Sequence, residues 1–201
     1  ATMMSNYKPA QMKEETTAID LQSLVEDSTP NFRIKSASLL SHLDSQLDTI
    51  DKKFHPMNDE SIPYRDMTDA STKKESIHQL IDKLDVTKSL RYQRTAEDTY
   101  CNVYSYDFCY FSKVYLPTVW WTDESLEKIR NGQEVIPVFN ETVAPIYSSA
   151  MHDWFLKWGA SFGWKRMTNL DEIQQKVNEV GGIGIICAKR KIRGLSGHIV
   201  P

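Results

Sequence analysis

The chain has 201 residues, 25% of them charged and 40% hydrophobic, and a formal net charge of −3. Such a balance allows one ordinary domain with its own core plus an extension, excludes a globally disordered chain, and gives no footing for nucleic-acid binding. No apolar run approaches the roughly 18–20 residues of a membrane span, and the three cysteines neither pair off evenly nor show the Cys-x-x-Cys spacing of a zinc site.

In chain order, the polar segment 1–30 carries one short amphipathic stretch, Ile19, Leu21, Leu24 and Val25. Ile34, Leu39, Leu40, Leu43, Leu47 and Ile50 recur at helical steps and predict a helix from about Phe32 to Phe54. A loop rich in Pro, Asp and Ser follows, from His55 to Thr72. Ser71 or Thr72 is then the expected cap of a helix whose stripe is Ile77, Leu80, Ile81 and Leu84. These segments carry no recognisable chemistry. They are assigned to an N-terminal helical extension, residues 1–85, ahead of a domain over 86–201.

Next comes the stretch from Thr99 to Ser112, around which the domain is organised. Val103, Tyr106, Tyr110, Phe111 and Val114 fall at three- and four-residue steps and predict a helix, with Asp98 or Thr99 as its cap. Cys101 then lies in the first turn, where unpaired N–H groups and the helix dipole favour a thiolate, the nucleophilic form. Cys109, inside the aromatic run, reads as packing. Val114 to Trp121 is extended, so Trp120 and Trp121 point to opposite faces and are candidates for a substrate cleft. Glu124 to Asn131 predicts a short helix, Thr142 to Trp158 a longer one, and Asn169 to Val180 a third that stops before Gly181 and Gly182. His152 and Asp153 are neighbours on the longer helix and face different ways. Two strands close the chain, Ile183 to Ala188 and His198 onward, with the basic run Lys189 to Arg193 at the hairpin tip.

A nucleophilic cysteine needs a base. Of the five histidines, His198 stands out, after Gly197 and before the β-branched Ile199 and Val200. Cys101 opening a helix and His198 on a strand 97 residues later (198 − 101) is the arrangement of papain-like hydrolases, whose partners meet only in the fold.

Arg91-Tyr92, Thr99-Tyr100-Cys101-Asn102, Gly163-Trp164, the run from Gln174 to Asn178, and Gly197-His198 together resemble the bacterial CHAP- and NlpC-type cysteine peptidases and amidases over roughly residues 86–201. The resemblance implies an α+β, papain-like fold in which the cysteine helix packs on a small antiparallel sheet. It implies Cys101 as nucleophile, His198 as general base and Tyr92 as an oxyanion-site residue, with no metal and no organic cofactor. The family usually has a third polar residue beyond the histidine strand. Here the sequence given reaches Pro201, and Asp107 is the alternative orienting group.

The function so implied is hydrolysis of peptidoglycan peptide amides through a thioester. A cell-wall hydrolase lacking an apolar leader in the sequence given resembles an antibacterial effector delivered by a type VI secretion machine. It would be made in the cytoplasm and act in the periplasm of a target bacterium, with an immunity protein and a secretion-machine component as partners. Two rivals stand beside it: a papain-like deamidase or transferase acting on a host protein, and a non-catalytic binding module on the same fold.

Overall fold

The computed structural model describes residues 34–39, 53–57, 59–96, 98–191 and 197–201. All of them fall in one compact unit, residues 32–201. The amphipathic stretch of residues 1–30, residues 40–52 of the expected Phe32–Phe54 helix, and Ile192 and Arg193 of the basic run lie outside the described residues.

Residues 34–39 are described and are not helical. The Trp121 indole N–H donates to the Lys35 carbonyl at 2.8 Å. The Tyr115 hydroxyl donates to the Ala37 carbonyl and accepts from the Ala37 N–H, both at 2.8 Å. Side chains from elsewhere thus take the backbone groups a helix would use, and Ala37 and Leu39 are buried. Tertiary contact overrides the local periodicity here.

Helix α1 spans Ala70–Leu84 and buries Leu80 and Leu84. Its cap is Asp69, two to three residues before the expected Ser71 or Thr72. The Asp69 carboxylate accepts from the N–H groups of Ser71 and Thr72, and the Thr72 hydroxyl is paired with the Asp69 N–H in a capping box. Helix α2, Cys101–Phe111, follows a different rule. Its cap position is Tyr100 and no side chain caps it; the backbone of Asp98 is paired with Thr95 instead. Asn102, Val103, Ser105, Tyr106, Asp107, Phe108, Cys109 and Phe111 are all buried. A helix covered on nearly every side is the central element of its fold. α1 packs on it, and Leu80, Leu84, Val103, Phe108, Met151, Trp154 and Ile199 share one core. Burial of each such side chain contributes roughly 1.5–3 kcal/mol. The expected boundary after residue 85 thus lies within the compact unit.

Strand β1, Val119–Trp121, pairs antiparallel with β2, Val143–Pro145, and helix α3, Asp123–Arg130, lies between them in sequence. Thr122 caps α3 by accepting from the Ser125 N–H. The single long helix expected from Thr142 is therefore a strand and then a shorter helix, α4, Ser148–Trp158. Pro145 explains the break: it cannot donate into a helix and biases Ala144 toward extended backbone. Helix α5, Leu170–Val180, is capped by Asn169 and ends at Gly181 with φ +61°. A Cβ on Gly181 would lie 2.8 Å from the Lys73 Cβ and 3.0 Å from the Ala70 carbonyl oxygen. That close approach seats α5 against the start of α1. The terminal hairpin pairs β3, Ile186–Ala188, with β4, His198–Val200. Among the described residues the architecture is mixed α+β, five α-helices with two two-stranded antiparallel sheets.

Candidate functional site

Cys101 is the first residue of α2, only partly buried. The first-turn N–H groups of an α-helix have no partner inside it. The Cys101 sulfur lies 3.2 Å from the Ser148 hydroxyl, and Ser148 is the first residue of α4. Two helix N-termini therefore converge on one sulfur. Asn102 fixes the approach, its side-chain amide donating to the Ile146 carbonyl at 3.2 Å, two residues before α4 begins.

The terminal hairpin docks on the same place. β4 lies along α2, and the Ser105 hydroxyl, one turn past Cys101, donates to the Ile199 carbonyl at 3.3 Å. The Gly197 N–H donates to the Ser149 hydroxyl at 2.8 Å. A Cβ on Gly197 would sit 2.5 Å from the Ala188 carbonyl oxygen and 3.1 Å from the Ser149 nitrogen, so glycine is required for the strand to approach. Cys187 pairs with Ile199 across the hairpin, and its sulfur lies 3.8 Å from the Ser148 carbonyl oxygen. Burial, then the neighbouring Cys101 and Asp153, push the Cys187 thiol up to about 11.

His198 follows Gly197 directly. Strand alternation sets His198 and Ala188 on one face of the hairpin and Ile199 and Cys187 on the other. The Ile199 side is buried, and the His198 side chain is exposed. The Cys101 sulfur is thus paired with Ser148, while the backbone leading to His198 is anchored on Ser149, the next residue. His152 lies one turn beyond Ser148 on α4, its Nδ1 3.4 Å from the Asp153 carboxylate. Lys189 also meets that carboxylate, at 2.5 Å, and holds it below its ordinary range.

Tyr92 and Asp107 have another task. Arg91 Nε reaches Asp107 Oδ2 at 2.5 Å, Arg91 Nη2 reaches Oδ1 at 3.0 Å, and the Tyr92 hydroxyl donates to Oδ2 at 2.9 Å. Burial raises the Asp107 carboxyl against the pull of Arg91 and Tyr92. Burial works against the Arg91 charge too, but Asp107 outweighs it and holds the guanidinium above its ordinary range. The hydroxyl expected at the oxyanion site is committed to Asp107, and the carboxylate expected to orient a histidine is committed to Arg91. Together they lock the segment before α2 onto the middle of the helix.

Both tryptophans line one groove, Trp121 being the more buried. Trp121 is buried with Phe54, Val119, Leu126 and Val143. Trp120 is half-buried, edge-on to Trp154 at 5.5 Å, and with Trp121, Trp158 and Pro145 it walls an open groove of about 270 Å3. The groove is also lined by Ile146, Ala150, Asp153 and Lys157, so it borders the start of α4.

Ser148, Ser149 and Asn102 escaped the sequence reading as site residues. The doublet Ser148-Ser149 after Pro145 is a helix-start signal, hidden by the expectation of a helix already running from Thr142. Compared with protein families, curated proteins and solved structures, the chain shows no match. Among the described residues no helix is long and apolar enough to cross a membrane, and no three His, Cys, Asp or Glu side chains gather as a metal site.

Proposed function

We propose that the chain is a papain-like cysteine hydrolase of the NlpC and CHAP type that cuts amide bonds of peptidoglycan peptides and serves as an antibacterial effector. The observation that carries this reading is the partly exposed Cys101 sulfur at the joint N-termini of α2 and α4, with the histidine hairpin docked beside it. In the proposed reaction the Cys101 sulfur attacks a peptide carbonyl. The first-turn N–H groups receive the developing oxyanion, a donor type that contributes roughly 3–4 kcal/mol each. The amine leaves with a proton from the imidazolium of His198, and water, deprotonated by the same imidazole, hydrolyses the thioester.

A specific observation favours a second candidate for the base. His152 sits on the turn of α4 that follows Ser148 and already faces a carboxylate. The site chemistry serves a protein deamidase equally, so the substrate decides between them. Digestion of purified sacculi followed by mass spectrometry of the muropeptides is the test. New free amines and carboxylates in the stem peptides, absent with Cys101→Ala, are expected. An unchanged muropeptide profile overturns the cell-wall reading.

A further inference from the structure

We propose that Cys101 and Cys187 are a redox pair, joined across the first turn of α4 into a reversible disulfide when the protein meets hydrogen peroxide. Both sulfurs contact the same residue. Cys101 Sγ lies 3.2 Å from the Ser148 hydroxyl, and Cys187 Sγ lies 3.8 Å from the Ser148 carbonyl oxygen. Both are partly buried, whereas Cys109 is sealed in the core. A disulfide wants Cα atoms roughly 4.4–6.8 Å apart. β3 is three residues long, hydrogen-bonded as a strand to β4 alone, and packed on α4, which holds Cys187 beside the first turn of that helix.

The chemistry takes two steps. The Cys101 sulfur attacks one peroxide oxygen, the O–O bond breaks, and the other oxygen leaves as water with the thiol proton, giving a sulfenic acid. The Cys187 sulfur then attacks the Cys101 sulfur. The S–S bond forms, the S–O bond breaks, and hydroxide leaves as water with the Cys187 proton. Two thiols are oxidised and one hydrogen peroxide is reduced to two waters. The disulfide itself does not depend on the hydrolase reading. Only its consequence does, since the link would withdraw the proposed nucleophile.

The test treats the full chain with hydrogen peroxide and maps non-reduced peptides by mass. Cleavage at Tyr104, Tyr106 or Phe108 separates Cys101 from Cys109. The expected product is a Cys101–Cys187 cross-linked peptide pair, about 2 Da lighter than the two thiol peptides summed, absent in Cys187→Ser and abolished by dithiothreitol. Wild-type protein that ends as Cys101 sulfinic acid, or links only between molecules, overturns the proposal. Because the readout is mass, a chain inactive on sacculi still answers the question.

Discussion

Arg91 and Asp107 form a fully buried, bidentate ion pair between the segment that leads into α2 and the middle of that helix, with side-chain exposures of 2% and 0%. Arg91 Nη2 also donates to the carbonyls of Lys53 and His55, so one guanidinium ties three stretches of chain together. Removing the carboxylate leaves a buried cation without its partner. Asp107→Ala is expected to lower stability by about 3–5 kcal/mol, read as a fall in the urea midpoint. The double change Arg91→Met with Asp107→Leu is expected to recover much of that loss, since the lone charge is gone. Equal loss in both would mean that hydrogen bonding to the Lys53 and His55 carbonyls dominates instead.

Gly197 has no room for a methyl group, because the neighbouring atoms are backbone and cannot rotate away. Gly197→Ala is expected to destabilise by about 1–3 kcal/mol, in the range of overpacking, and to raise hydrogen exchange at the β3 and β4 amides ahead of those in α2. Uniform exchange across both regions would show that the hairpin is not the element displaced.

The three thiols should separate by reaction with iodoacetamide at pH 8. Cys101 is expected to react first, Cys187 slowly and Cys109 only on unfolding. Thiolate is the reactive form, and Cys187, held near 11 by burial, gains about tenfold in rate per pH unit between 8 and 10. Peptide mass mapping of the label checks the order. A Cys187 rate that is flat over that span would contradict its protonated state.

Alkaline stability follows from the same group and from the tyrosines. Burial pushes Tyr92, Tyr106 and Tyr115 far up, and the Tyr64 hydrogen bond and then burial push Tyr110 to about 12. Each of these acids binds its proton more tightly folded than unfolded. Their stabilisation is therefore complete below the unfolded pKa values, about 9 for the thiol and 10 for the phenols, and is lost as pH rises above them. The expected result is a cooperative tyrosinate absorbance step at high pH that coincides with loss of circular dichroism. Smooth titration of every tyrosine in a still-folded chain would refute it.

The two candidate bases separate by mutation. His198→Ala is expected to lower hydrolysis of sacculi by roughly 10²–10⁴-fold, the usual contribution of a general base, and His152→Ala to leave it near wild type. The reverse pattern assigns the base to α4 and to the His152–Asp153 neighbourhood.

Local chemistry made much of this legible in advance. The stripe of Leu80 and Leu84, the aromatic run of α2, Asn169 before α5, Gly181 after it and the terminal β-hairpin are all written in short-range patterns that burial and capping then enforce. The placement of Cys101 in a first helical turn belongs with them, although the cap that starts that turn is Tyr100 and not a side-chain acceptor. What the residues alone determined is therefore which segments form α2, α5 and the hairpin, and which residue opens α2. Only the tertiary structure decided that Ser148 meets the Cys101 sulfur, that Arg91 and Tyr92 both claim Asp107, and that residues 34–39 surrender their periodicity to Trp121 and Tyr115. Those outcomes depend on hydrogen bonds and ion pairs between groups 15 to 86 positions apart, and no local pattern encodes which distant partner will claim a buried polar group.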